Sequence, residues 1–298
     1  MNLLKILIVL LSISFFSCAV KEKKETSKTV ISVKDDLGIV INFDKIPEKA
    51  VSLAPSLTEI IFDLEEENRL AGNTLYCDYP EKSKKVKKVG DLLSVDFETI
   101  LEINPDIIFV TIEGNSKNNY DKLIKLGFKV FVSNPRNFEG IKKSYTDIAE
   151  IFGKKDFALR KIKIWNGVID SIKKGNSEKT KKNALFLISL KPLFAAGKNT
   201  FINEMMNICN LNNLAEKTLQ NYPVLSIESV LTGNPDVILL PDYDYNKEAI
   251  SKIYPQLAGL KAVKNKSIFF LDQNLFSRPG PRFYLAVEEM NRIVSGLK

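Results

Sequence analysis

Apolar and polar positions alternate in two distinct rhythms along this chain. "TVISVKDDLGIVINF" switches every residue around Asp36-Leu37-Gly38, which predicts a hairpin of two short strands. Beyond it, apolar runs of four to six residues alternate with helical spacing: strand at 50–54, helix at 57–64, strand at 106–110, helix at 120–126 and strand at 129–132. From 138 to 174 no strand intervenes. Ile141, Tyr145, Ile148 and Phe152 recur at helical spacing, as do Ala158, Ile162, Trp165, Ile169 and Ile172, and Gly153 between the two runs predicts a break or kink. The alternation then resumes: strand at 184–189, helices at 201–209 and 227–231, strands at 237–240 and 267–271, and a final helix at 282–297. Strand–helix alternation of this kind indicates parallel sheets, so the expected fold class is α/β: two Rossmann-like lobes joined by a long helical linker.

One stretch is written twice. "FETILEINPDIIFV" and "IESVLTGNPDVILL" share Glu, Leu, Asn-Pro-Asp and Ile in register at an offset of 130. In each, Asp96 or Ser226 is the expected N-cap of a short helix, with Glu98 or Glu228 two positions in. Asn-Pro then ends the helix, because the residue before proline is pushed out of the α region. The shared break favours a duplicated or pseudo-symmetric lobe. A different local pattern, "SLTE" at Ser56–Glu59, reads as a capping box at a strand-to-helix turn.

Composition changes the picture mainly at the N-terminus. "MNLLKILIVLLSISFFSC" is one lysine, an apolar run and a small residue before Cys18, with too little apolar length for the ~20 residues of a bilayer span. It fits a signal peptide over 1–17. "FFSC" resembles a bacterial lipobox, in which Cys18 would carry lipid; the alternative is an ordinary secretory signal with an incidental cysteine. The polar tract up to residue 30 suits a tether. Lobes are then expected at 31–137 and 177–298, with the helical linker at 138–176.

The formal charge of +7 falls to about +4 for the folded body once Lys5 and the lysine-rich tether are set aside. That mild excess does not point to nucleic acid. The basic run "KSKKVKK" from Lys82 to Lys88 is expected as a solvated loop, with an anion or membrane-surface patch as the rival reading. Nothing suggests that Cys77 and Cys209 pair. The chain has no histidine, which removes triads, Cys-His pairs, His-based zinc sites and imidazole bases. No GxGxxG, GxxxxGK or CxxC occurs. These exclusions favour binding over catalysis.

Five blocks occur in order: "AVSLAPSLTEIIFDL", "LYCDYP", "KVGD…FETILEINPDIIFV", "LFAAGKNTFINEMMNICN" and "FSRPGPRFYLAVEEM". Together they resemble the substrate-binding proteins of bacterial ABC importers for vitamin B12, haem and ferric siderophores, over nearly all of the chain from about residue 30. The resemblance implies two α/β lobes bridged by one long helix, a ligand cleft between them, no enzyme activity, no resident cofactor or metal, and a monomer. Its partners would be an ABC permease and ATPase, a corrinoid, haem or iron-siderophore ligand, and the membrane through the lipid anchor of an exported protein.

The resemblance also implies residue roles. Tyr76 falls where a ring stacks on the ligand, Phe194 and Tyr222 fall at cleft-lining aromatic positions, and Arg278 falls at a cleft arginine. Flat rings bury an apolar ligand face, and a guanidinium gives directed bonds to a phosphate, carboxylate or hydroxamate oxygen. Without the resemblance, Tyr76 and Tyr222 read first as surface-loop tyrosines next to prolines, and Phe194 as core. Leu92 and Thr111 align with tryptophans of B12 binders, Asn274 with a carboxylate, and Asn291 with a cysteine that would pair with Cys209. These departures leave corrinoid, haem and iron chelate all open. Glu98 and Glu228 match the lobe-tip glutamates that dock on permease arginines; the plainer account is a helix-dipole contribution of ~0.3–1 kcal/mol. Rival functions are a two-lobed enzyme of the glycosyl-transferase type and a surface lipoprotein with no transport role.

Overall fold

The computed structural model describes residues 31–242 and 248–296. The signal peptide, Cys18 and the tether lie outside the described residues. Among those described, no helix is long and apolar enough to cross a membrane.

Strands β1 (Ile31–Lys34) and β2 (Val40–Phe43) form the expected antiparallel hairpin. Its turn is fixed by Asp35, whose Oδ1 accepts from the Leu37 and Ile39 amides at 3.0 and 2.8 Å. The first lobe follows: β3 (Ala50–Ser52), α1 (Pro55–Asp63), β4 (Leu70–Asn73), α2 (Phe97–Ile103), β5 (Ile107–Thr111), α3 (Lys117–Lys125) and β6 (Val130–Ser133). Its sheet is parallel, in the order β4-β3-β5-β6. Helices α4 (Phe138–Ile151) and α5 (Lys155–Asn176) come next. The second lobe runs through β7 (Lys182–Ser189), β8 (Phe194–Ala195), α6 (Phe201–Ile208), β9 (Leu211–Asn213), α7 (Ile227–Gly233), β10 (Val237–Pro241), α8 (Ala249–Ile253), α9 (Lys261–Lys264), β11 (Ile268–Leu271), α10 (Gln273–Phe276) and α11 (Phe283–Ser295).

In the second sheet the parallel order is β9-β7-β10-β11, with β8 antiparallel to β7. That order is the first lobe's order with each strand replaced by its later counterpart. The duplicated stretch is the helix-and-strand unit α2–β5 in one lobe and α7–β10 in the other. Asp96 and Ser226 are the N-caps, accepting from the Thr99 and Ser229 amides. Asn104 and Asn234 end the helices in the left-handed region, at φ 48° and 40°, a conformation that asparagine tolerates better than most residues.

Burial repeats with the fold. Ile107 and Phe109 face a large central cluster, and so do Val237 and Leu239; Ile108 and Val110 face a core private to the first lobe, while Ile238 and Leu240 face one private to the second. Strand period two thus sends alternate residues to the two faces of each sheet. The central cluster runs through the linker helices and joins the lobes.

The linker segment is two helices rather than one, broken where Gly153 predicts it. Gly153 takes φ +69°, its amide bonds the Glu150 carbonyl at 3.1 Å, and the Lys154 amide bonds the Ala149 carbonyl at 2.7 Å. These are the paired bonds of a Schellman helix end. The 22-residue α5 is then about 33 Å long. Trp165 fixes it between Tyr145 and Tyr284, with ring centroids at 4.7 and 6.1 Å. Asp63 of α1 fastens it further, accepting from Tyr145 Oη at 2.5 Å and Lys161 Nζ at 2.9 Å. Cys77 and Cys209 are both free and buried. Asn291 accepts instead from Asn176 Nδ2 at 2.8 Å.

The capping-box reading of Ser56 and Glu59 is corrected. Ala54 is the N-cap of α1 and no side chain caps it, with Pro55 opening the helix. Glu59 is instead buried, 2% exposed, and faces arginines from the far end of the chain. Nothing near it in sequence could show those partners.

Candidate functional site

The C-terminal ends of both parallel sheets face one cleft. Open α/β sheets place ligands there because connections leaving neighbouring strands toward opposite faces open a crevice at the strand ends. One cavity of about 500 Å³ lies against the first lobe, lined by residues that follow β3, β4, β5 and β6, and by Gln273, Asn274, Ser277, Arg278 and Pro279. A second cavity of about 380 Å³ lies against the other lobe and includes Ile188, Phe194, Tyr222 and Phe276. Glu113 and Ser277 line both, so the two are adjoining parts of one cleft.

The structure brings together all seven residues aligned with ligand-binding positions. Tyr76, Leu92, Thr111, Asn274 and Arg278 line the first cavity, and Phe194 and Tyr222 line the second. Tyr76 is 56% exposed. Its loop is held by Lys88, whose Nζ donates to Asn73 Oδ1 at 2.8 Å and to the carbonyls of Ser83, Thr74 and Cys77 at 3.2, 3.3 and 3.4 Å. Burial lowers the Lys88 pKa from its ordinary value. The last lysine of the basic run is therefore a loop anchor, not a solvated charge. Phe194 and Tyr222 lie 6.1 Å apart between ring centroids, tilted by 38°.

The loop after β5 is built around Asn115. Its Oδ1 accepts from the Thr111 amide at 2.9 Å, and its Nδ2 donates to the carbonyls of Leu53 and Leu92 at 3.1 and 3.3 Å. The Gly114 amide bonds Thr111 Oγ1 at 3.1 Å, and a Cβ at Gly114 would stand 2.7 Å from that oxygen. The tight loop presents Glu113 to the cleft. One carboxylate oxygen of Glu113 pairs with Arg136, and the other accepts from Tyr222 Oη at 3.1 Å, across the cleft. Burial, with the Glu113 charge beside it, pushes the Tyr222 hydroxyl well above the ordinary tyrosine range.

Arg278 lines the cleft but is occupied from within. It donates to Glu59 Oε1 at 3.0 Å, to the Tyr76 carbonyl at 3.2 Å and to Asn274 Oδ1 at 2.6 Å, and lies 2.8 Å from Asp78 Oδ1. Glu59 also accepts from Arg282 Nε and Nη2 at 2.8 and 2.6 Å. Asp78 is only partly buried; desolvation opposes its charge, yet the Arg278 pairing and bond carry its pKa below the usual carboxylate value. The Arg282 guanidinium sits 3.8 Å from the centre of the Tyr79 ring. This network fastens α1 and the Tyr76 loop to the α10–α11 segment.

Glu98 and Glu228 are not in the cleft. Both are exposed at the second position of their short helices. Sequence reasoning missed Glu113, Ser133, Asn134 and Gln273; their signal is position, since Ser133 ends a parallel strand and each of the others follows such an end by one to two residues. Among the described residues no group of three or more Cys, Asp or Glu is placed to hold a metal ion.

Residues 51–275 match the family model described as Periplasmic binding protein. Over 278 residues the chain is 29% identical to an uncharacterized ABC transporter substrate-binding lipoprotein of Bacillus subtilis (strain 168), covering 91% of this chain and 87% of that one. Over 244 residues it is 25% identical to the vitamin B12-binding protein of Yersinia pestis (strain Pestoides F), covering 82% and 85%. Among solved structures, the periplasmic vitamin B12 binding protein of Vibrio cholerae superimposes with a TM-score of 0.74 at 23% identity, covering 84% of this chain and 97% of that one.

Proposed function

This chain belongs to the periplasmic binding protein family, and from that premise we propose that it is the substrate-binding subunit of an ABC importer. It captures a large metal-containing nutrient, a cobalamin, haem or ferric siderophore, and hands it to a membrane permease driven by an ATPase. It makes and breaks no covalent bond and keeps no resident cofactor; any metal arrives as cargo. The observation that carries this reading is the cleft, where the Tyr76 platform and the Phe194–Tyr222 pair from opposite lobes line adjoining cavities. A flat macrocycle or chelate would bury its apolar faces against those rings while loop side chains met its rim.

The protein works outside the cytoplasm, tethered through lipid on Cys18, as a monomer that presents Glu98 and Glu228 to the permease. The name of the Bacillus relative supports a lipoprotein of this transport class, and that of the Yersinia relative supports a corrinoid within the ligand range. The test is direct binding. Purified protein without residues 1–18 is expected to gain thermal stability or change tryptophan fluorescence with at least one of cyanocobalamin, haem and a ferric siderophore. A panel with no response would remove the nutrient-capture reading.

A further inference from the structure

The charged residues that line the two cavities, among those described, are Glu113 and Arg278. They differ in what an incoming ligand can reach. The Arg278 side chain is 9% exposed and already faces Glu59 and Asp78, while the Glu113 side chain is 36% exposed at the junction of the cavities. The exposed charged group lining the cleft is therefore a carboxylate, whose counter-ion Arg136 lines neither cavity. Three further side chains on the cavity wall, Ser56, Asn134 and Gln273, make no side-chain hydrogen bond among the described residues, and all three are neutral. What the cleft leaves open to a ligand rim is a set of hydroxyl and amide groups, with a carboxylate between them.

We infer that the cleft selects ligands whose rim carries uncharged amide or hydroxyl groups and rejects rims bearing carboxylates, with Glu113 as the residue that enforces the choice. The inference rests on the capture reading above and narrows its ligand class. An anionic rim would lose its water and meet the Glu113 carboxylate, with Arg278 already matched from within and Arg136 already paired to Glu113. A neutral amide would lose less on desolvation and would find Ser56, Asn134 and Gln273 as donors and acceptors. Arg136 adds a second consequence. It is held by Glu113 alone among the described residues, so neutralising Glu113 leaves a guanidinium beside that cleft residue without its counter-charge.

The experiment measures affinity for matched pairs that differ only at the rim. The pairs are cyanocobalamin with its amide-hydrolysed carboxylic acid, the bis-propionamide of haem with haem itself, and a neutral ferric hydroxamate with its carboxylate-bearing analogue. Whichever scaffold binds, the uncharged member is expected to bind about tenfold tighter or more. In Glu113→Gln the ratio should fall to within about twofold or reverse, and in Arg136→Gln it should widen. Equal or tighter binding of the carboxylate member by the unaltered protein would overturn the charge rule while leaving capture intact. A preference that survives Glu113→Gln would remove Glu113 from the role. No binding of any pair takes down the capture reading, and this inference with it.

Discussion

Glu59 shows how far a residue's role can depend on partners that the local sequence does not contain. In "SLTE" it has the spacing of a capping box, yet its carboxylate is 1% exposed and takes bonds from Arg278 and Arg282, more than two hundred positions away. Removing one partner of a buried ion network strands the others without water or counter-charge. Glu59→Gln is therefore expected to cost about 3–5 kcal/mol of unfolding free energy, read as a lower denaturant midpoint at unchanged slope. A loss no larger than the ~0–1 kcal/mol of a surface pair would mean that solvent reaches the site. The same network qualifies Arg278. Its place at the cleft was legible from the "FSRPGPR" block, but its saturation was not, because that follows from Glu59, Asp78 and Asn274 converging in space. Glu113 was the converse case. Nothing about an isolated glutamate in a loop reveals that the chain will fold it against a tyrosine of the other lobe.

Among elements, those with long, strongly periodic patterns were readable, and those defined by pairing were not. The hairpin, the central strands of both sheets and the helix break at Gly153 all follow from local sequence. Strands β4, β8 and β9 do not, being two to four residues long and rich in small or polar residues such as "LAGN" and "LNN". They are strands because β3 and β7 offer them an edge. The duplicated Asn-Pro-Asp also does more than stop a helix. Asp106 Oδ2 accepts from the Glu48 and Lys49 amides at 2.8 and 3.0 Å, and Asp236 Oδ2 accepts from the Asn183 amide at 2.9 Å, so each aspartate clamps the chain entering the adjacent strand. The Lys49 amide bond is the main reason that the Asp106 pKa lies below its ordinary 3.8. A depressed carboxylate pKa stabilises the fold above the unfolded value and loses that contribution as pH falls through the folded value. Asp106→Asn should thus lower stability by about 1 kcal/mol at neutral pH. Compared with the unaltered protein, it should lose less on acidification from above the ordinary carboxylate range to below it. Denaturant midpoints on both sides of that range check the slope; parallel pH curves for the two proteins would rule out the clamp.

For the molecule as a whole, duplication explains why two glutamates so far apart in sequence hold equivalent places. The two sheets share one strand order and one alternation of faces, so whatever α2 presents at one lobe, α7 presents at the other. Fold class and two-lobed layout were visible from the sequence because a repeat carries its own register. The lobe-spanning bonds of Tyr222 and Arg278 were not, since they depend on how the halves meet. Glu228 is held ionised by its own backbone amide and the Ser226 hydroxyl, which lower its pKa, and it has no partner in an ion pair among the described residues. A helix-dipole role would be fulfilled by either glutamate alone, and losing it would affect stability by tenths of a kcal/mol. Docking on permease arginines makes a different demand, because both lobes must engage at once and the second contact is intramolecular once the first has formed. Reversing both charges, Glu98→Lys with Glu228→Lys, is expected to abolish uptake in cells while ligand affinity of the purified protein stays the same. Each single reversal should leave partial uptake. Uptake that persists in the double variant, with the protein correctly exported, would return both residues to the helix-dipole account and leave the permease contact to be sought elsewhere on the lobes.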